Sequence, residues 1–281
     1  MNASSMLPTP AIKDWLTDAS YKLSNAGIPS PKLDAEIILA NTLDKDRTYL
    51  HAHPEQTISP NQIKIVDCNL ELRLKRMPIA YIIGHKEFYG REFKVSSDTL
   101  IPRPESETII ELLTDILENN LKDQSIKLVD VGTGSGCLGI TAKLEFPDID
   151  VTLIDVSETA LTIATENAKK LSADVNIIQS DLFQNYPSKI NIIIANLPYV
   201  DQTWDRSPET NYEPDLALFA DNSGLSIIED LITQTDNLIA NGFLLIEADP
   251  VQHVSLIKFA SNKSLQLFRQ DGYIIAFKKI S

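Results

Sequence analysis

Residues 192–199 read Ile-Ile-Ile-Ala-Asn-Leu-Pro-Tyr. The apolar run is too short for a helix of its own and reads as a buried strand. It stops at a stiff corner, because Pro198 lacks an N–H and holds Leu197 extended. The Asn196 carboxamide, the unpaired backbone carbonyl of Leu197 and the Tyr199 ring are then presented together. Two acceptors beside a flat aromatic face suit a planar –NH2 group. Asn196, Leu197, Pro198 and Tyr199 therefore point to chemistry on an amide or amine nitrogen.

A second constellation precedes this one. Leu128-Val129-Asp130-Val131 runs into Gly132-Thr133-Gly134-Ser135-Gly136. Glycines admit positive φ and let a ligand approach the backbone closely. The next apolar run ends in Asp155. That carboxylate falls roughly 20 residues after the turn, where a ribose-binding acid belongs. A nucleoside cofactor is expected. The alternate spacing of Gly132, Gly134 and Gly136 departs from the dinucleotide fingerprint. S-adenosylmethionine has no pyrophosphate and does not need that spacing. Asp130 then stands near its cationic methionine end. The third run ends at Ser180-Asp181-Leu182-Phe183. Asp181 reads either as an acceptor for the adenine amino group or as a turn cap, with Leu182 covering the ring. A nicotinamide cofactor would leave the Asn196–Tyr199 corner without a purpose.

These groups need a scaffold that brings strand ends together. From residue 126 onward strand and helix patterns alternate. Strands are expected at 127–131, 151–155, 175–179, 191–195, 243–247, 264–269 and 273–278. Helices are expected at 137–146, 157–171, 224–240 and 250–260. The pattern predicts an α/β fold with a mostly parallel seven-stranded sheet and helices on both faces. Gln270-Asp271-Gly272 leaves no room for a helix, so the last strand should run antiparallel to its neighbour. In such sheets ligands bind at the carboxyl ends of the strands. Gly132–Gly136, Asp155, Asp181 and Asn196–Tyr199 all fall at such ends, so one pocket could hold cofactor and substrate.

Residues 1–76 read as a small helical domain. Thr9-Pro10, Ser30-Pro31 and Ser59-Pro60 each suggest a capped helix start, and Gly27 a stop. His51 and His53 are two apart near a helix end, so a helix would not aim them together, and no metal site is expected. Residues 77–101 read as a linker of short strands around glycine turns, at 81–84 and 88–95. Residues 102–281 are expected to form the catalytic domain. It opens with Pro102-Arg103-Pro104-Glu105-Ser106-Glu107 and a helix through about Glu118. Glu105, Glu107, Tyr212 and Glu213 read either as the lining of a substrate mouth or as helix caps and partners of Arg103.

The formal charge is −14. Residues 1–76 hold nine acidic and nine basic side chains, and the remaining thirty acidic and sixteen basic carry the whole imbalance. Phosphate contacts normally leave a basic footprint, so the balance argues against a nucleic-acid substrate. No apolar run reaches the roughly 18 residues of a membrane span. Met1–Thr9 lacks the pattern of a signal peptide. Cys68 and Cys137 lie far apart and are expected to stay reduced, which makes the cytoplasm the expected compartment.

The chain resembles the protein-glutamine N5-methyltransferases, and among them the enzymes that act on peptide chain release factors. The resemblance runs nearly full length. It covers the helical N-terminal domain, Phe88-Tyr89-Gly90, Ile101–Glu107, Asp130–Gly136 and the corner. The family's usual corner is Asn-Pro-Pro-Tyr. Leu197 in place of the first proline keeps the backbone acceptor and loses some rigidity. The family often has Trp at the position of Leu182, which leaves that residue's adenine-covering role open. The resemblance implies a Rossmann-like class I methyltransferase that uses S-adenosylmethionine. Its implied partners are class 1 release factors, with no nucleic acid, membrane or metal. The substrate atom would be the side-chain nitrogen (N5) of the glutamine in a Gly-Gly-Gln loop. Asn196 Oδ1 and the Leu197 carbonyl would accept its two N–H bonds, and Tyr199 would pack on the carboxamide plane. No general base is required, and the helical domain would grip the release factor outside its loop. A sister enzyme acts on a glutamine of a large-subunit ribosomal protein, and similar corners occur in adenine-N6 DNA methyltransferases. These are the alternatives, together with an adaptor that keeps only the fold.

Overall fold

The computed structural model describes residues 9–121 and 125–280. The segment read as lacking a signal peptide lies, through residue 8, outside the described residues. Two compact units divide the chain. One holds the described residues up to Gly84 together with Ser207–Tyr212, and the other holds His85–Arg206 and the chain from Glu213 onward. The division does not fall at 76 and 101, because the intervening segment is shared between two hydrophobic cores.

The first unit is helical: α1 (Ile12–Asn25), α2 (Pro31–Leu43), α3 (Arg47–Ala52), α4 (Pro60–Leu74) and α5 (Ile79–Ile83). Ile12, Trp15, Ala19 and Leu23 recur on one face of α1 and are buried with Ile38, Leu39, Val66 and Leu70. Ser59 and Gln62 form the expected capping box at α4. Thr9-Pro10 does not start α1. The Pro10 carbonyl accepts from Ile58 N at 3.0 Å, and this extended pairing delays the helix to Ile12. Ser30 gives its hydroxyl to Asp34 instead of accepting a backbone N–H, although Pro31 does open α2. Residues 81–83, expected as a strand, lie in α5. Ile79 and Ile82 pack on the helical core, and that burial outweighs their β-propensity. Gly84, at φ +80°, ends the helix. The buried Arg73 guanidinium is paired with Asp34 (2.7 Å) and with Glu209 (3.1 Å) from 207–212. His51 lies 3.4 Å from Glu36, and His53 stacks on Tyr49.

The second unit opens with a hairpin, β1 (His85–Phe88) and β2 (Arg91–Lys94). Its Tyr89-Gly90 turn has both φ values positive, as a type I′ hairpin turn requires. Then follow α6 (Glu107–Asn120), β3 (Lys127–Val131), α7 (Cys137–Glu145), β4 (Asp150–Asp155), α8 (Glu158–Leu171), β5 (Asn176–Gln179) and β6 (Ile190–Ala195). The chain ends in a helix Ser226–Thr233, β7 (Leu238–Glu247), a helix His253–Ser261, β8 (Leu265–Asp271) and β9 (Ile274–Lys279). The seven strands β3–β9 form one sheet in the order β5-β4-β3-β6-β7-β9-β8. β3 to β7 are parallel, and β9 inserts antiparallel between β7 and β8.

The isoleucine run of β6 is buried on both faces, as a central parallel strand requires. Ile192 and Ile194 pack with α6, α7 and the hairpin Phe88 and Phe93, while Ile193 packs with the helix at 226–233. The helix expected over 224–240 is shorter. Asn222, Ser223 and Gly224 are all left-handed, and β7 already begins at Leu238, which pairs with Ile190. Among the described residues no helix is long and apolar enough to cross a membrane.

Candidate active site

β3 and β6 are neighbours, and the chain leaves them toward opposite edges of the sheet. Their carboxyl ends flank a topological switch point, where open α/β sheets form a crevice. Val131 pairs with Ala195, so Gly132 and Asn196 emerge side by side. A cavity of about 410 Å³ opens there, in the size range of small-ligand sites.

The glycine turn forms one wall. Gly132, Gly134 and Gly136 all have positive φ. A Cβ at Gly132 would stand 2.6 Å from Leu197 Cδ2, so the turn and the corner are in direct contact. Gly134 N donates to Asp155 Oδ2 and Ser157 N to Asp155 Oδ1, both at 2.9 Å. Each carboxylate oxygen keeps a further lone pair beyond these bonds. Asp155 lines the cavity with Val156, Asp181 and Leu182. Asp181 also accepts from Gln184 at 2.8 Å, a turn-capping contact. Thr133 and Ser135 are buried within the turn and border the same space.

Asp130 is not on the cavity wall. It lies fully buried beneath the turn, where Oδ2 accepts from Thr133 Oγ1 (2.6 Å) and Gly139 N (2.9 Å). Its Oδ1 has no partner among the described residues. Burial pushes its carboxyl up from 3.8 to about 6, against the pull of those two bonds. Between these values the folded chain holds a proton that the unfolded chain has released, so stability falls as pH rises through this window. Asp130→Asn keeps an oxygen for Thr133 and Gly139 and carries no charge. Wild type should lose about 2 kcal/mol relative to this variant between about pH 4 and pH 7. Urea unfolding of both proteins at the two pH values measures it, and parallel curves would refute it.

The adjoining wall is the corner. Asn196, Leu197 and Pro198 line the cavity. Asn196 Nδ2 donates to Ser106 Oγ at 3.0 Å. Neither Asn196 Oδ1 nor the Leu197 carbonyl accepts a hydrogen bond among the described residues. Tyr199 is not among the lining residues: its hydroxyl donates to Glu247 Oε1 at 3.0 Å. Burial and the Glu247 charge push the Tyr199 hydroxyl upward, and burial also raises Glu247. The Tyr199 carbonyl accepts from Gln252 Nε2 at 2.8 Å, which holds the corner from outside.

Arg103 lines the cavity and donates to the buried Glu213 at 2.5 Å, and Glu213 also accepts from Ile101 N. Glu213 is thus the partner of Arg103, while Glu107 accepts from Tyr89 N. Tyr212 donates to the Lys75 carbonyl within the helical unit. Cys137 borders the cavity, but burial and the nearby Asp130 push its thiol up to about 12, so it stays protonated and unreactive. Among the described residues no group of three or more His, Cys, Asp or Glu side chains could hold a metal ion.

Sequence reasoning missed Ser106, Glu247, Gly224 and Gln252. Glu247 had a signal: it ends an apolar strand at the carboxyl edge of the sheet, where site residues gather. Ser106 had only its place in the Arg-Pro-Glu segment.

Two family profiles match the chain, PrmC N-terminal domain over residues 14–84 and methyltransferase small domain over residues 106–210. The release factor glutamine methyltransferase of Koribacter versatilis is 36% identical, over 86% of this chain and 90% of that protein. The bifunctional methyltransferase of Rickettsia bellii is 34% identical over 94% of this chain, which spans about half (52%) of that longer protein. Among solved structures, the 16S rRNA N2 G1207 methyltransferase of T. thermophilus, in complex with AdoMet and guanosine, shares the fold. Its TM-score is 0.52 at 14% identity, over 70% of this chain and 50% of that one.

Proposed function

We propose that this chain, which belongs to the release factor glutamine methyltransferase family, methylates the side-chain amide nitrogen (N5) of the glutamine in the Gly-Gly-Gln loop of peptide chain release factors. The observation that carries this reading is a pair of free acceptors, Asn196 Oδ1 and the Leu197 carbonyl, on a cavity wall in contact with the glycine turn.

S-adenosylmethionine, when bound, supplies an electrophilic methyl group. The residues fit it: the Asp155 carboxylate offers lone pairs to the ribose hydroxyls, and the glycines let the ligand approach the backbone. Asp181 is an acceptor for the adenine amino group, and Leu182 and Val156 offer apolar cover for the ring.

An amide nitrogen is a poor nucleophile because its lone pair is delocalised. Asn196 and Leu197 would accept its two N–H bonds, orient the nitrogen toward the reactive carbon and favour positive charge developing on it. The proton leaves to water after transfer. Pro198 and the Gln252 bond keep both acceptors in place, and Tyr199 stiffens the corner through Glu247. The net acidity of residues 77–281 supports a protein substrate over a nucleic acid. The helical unit would bind the release factor outside its loop, in the cytoplasm where translation occurs.

The test is mass spectrometry of a class 1 release factor incubated with enzyme and S-adenosylmethionine carrying a labelled methyl group. One labelled methyl on the loop glutamine is the expected result. Label only on a ribosomal-protein glutamine or on a nucleic-acid base would replace the reading. A second measurement addresses the cofactor. Asp155→Asn should weaken S-adenosylmethionine binding by roughly 10–100-fold in calorimetry, the worth of a hydrogen bond to a charged acceptor.

A further inference from the structure

The hydrogen bonds behind the corner run in one direction. Glu247 is buried, with 1% of its surface exposed. Its Oε1 accepts from the Tyr199 hydroxyl and its Oε2 from the Ser106 hydroxyl. In both bonds Glu247 is the acceptor and the hydroxyl the donor. Ser106 therefore gives its single proton to Glu247 and turns a lone pair toward Asn196. Asn196 must answer with its amide N–H: Nδ2 donates to Ser106 Oγ at 3.0 Å, and the same amide also acts as a donor toward Glu247 itself. The two ends of a carboxamide are nearly the same size, and its last torsion is broad. Shape alone would not tell them apart. The directed chain does so, placing nitrogen inward and oxygen toward the cavity.

We propose that Ser106 and Glu247 are positioning residues that form a directional relay, fixing the Asn196 carboxamide with its oxygen toward the substrate. The relay makes the site prefer a donor group such as a primary amide and reject a carboxylate of the same shape. This rests on the amide-nitrogen reading given above.

Glu247→Gln tests it, because the change is isosteric and reverses the chain. The substituted side chain keeps its oxygen for the Tyr199 proton and offers its –NH2 to Ser106. Ser106 then gives its proton to Asn196 Oδ1, the amide turns over, and a donor faces the cavity. The opposite placement would leave the buried Tyr199 proton without an acceptor, which is the costlier arrangement. The variant removes a buried charge and should fold at least as stably as wild type.

The expected result is a kcat about 10²-fold lower with cofactor Kd unchanged, as for loss of one transition-state acceptor. A release factor whose loop glutamine is replaced by glutamate should compete better against the variant than against wild type. Ser106→Ala cuts the relay, so the double variant should be faster than Glu247→Gln alone. Side-chain amide exchange of Asn196, followed by NMR, should quicken in the variant as Nδ2 turns to solvent. Wild-type kcat in Glu247→Gln, or losses that multiply in the double variant, would overturn the relay. A wild-type enzyme that leaves the release factor unmodified would sink the substrate reading instead, and the Asn196 exchange rates would still judge the relay.

Discussion

Asn196→Ala is expected to lower kcat for the proposed release factor methylation by about 10²-fold, the typical cost of one acceptor or donor that acts in the transition state. The variant removes Oδ1, one of two acceptors that would hold the substrate N–H bonds, and leaves the Leu197 carbonyl alone. It also frees Ser106, whose other partner, Glu247, keeps the Ser106 proton. Cofactor affinity should change little, because the Asn196 side chain bonds Ser106 and makes no hydrogen bond to Asp155 or the glycine turn. Single-turnover rates with saturating cofactor, combined with calorimetry, separate the two effects. A near-normal rate would remove the acceptor pair from the mechanism. An equal loss in rate and cofactor binding would assign Asn196 to the cofactor instead.

Gly224→Ala should destabilise the fold by about 4 kcal/mol, combining the strain of a left-handed alanine with overpacking. Gly224 sits at φ +82°, and a Cβ there would lie 2.0 Å from the Tyr199 carbonyl oxygen and 2.6 Å from Gln252 Nε2. The first of these is backbone and cannot swing aside. Gln252 bridges the Tyr199 and Ser223 carbonyls at 2.8 Å each, so this glycine closes the clamp behind the corner. The variant should therefore lose both thermal stability and activity, with the corner displaced. Thermal unfolding and a rate measurement well below the variant's Tm check both. An unchanged Tm would mean that the clamp yields without cost.

Much of this architecture was written in short stretches of sequence. The strand ends at Val131, Asp155 and Ala195 stand where the apolar runs stop, and the antiparallel last strand follows from the Gln270–Gly272 turn. Misreadings arose where distant packing overruled a local pattern. Residues 79–83 are rich in β-formers, yet they coil because Ile79 and Ile82 reach the helical core. Thr9-Pro10 has the form of a helix start, yet pairing of Pro10 and Ala11 with the 57–58 segment claims it. The periodicity after Leu225 extends past Thr233, but strand pairing takes over at Leu238.

Asp130 was legible as a residue of the turn but not in its place. The same carboxylate can face a ligand or bind the turn from below, and only the packing of α7, through Gly139 N, selects the second. Local chemistry alone made the corner and the glycine turn, because proline's missing N–H and glycine's positive φ depend on a residue and its immediate neighbours. Which end of the Asn196 amide faces the cavity depends on Ser106, 90 residues away in sequence. What stands behind Tyr199 depends on Glu247, 48 residues away. The register that sets Ala195 beside Ile246 brings these groups together. A hydrogen bond acquires its direction only from the partner that the folded chain delivers.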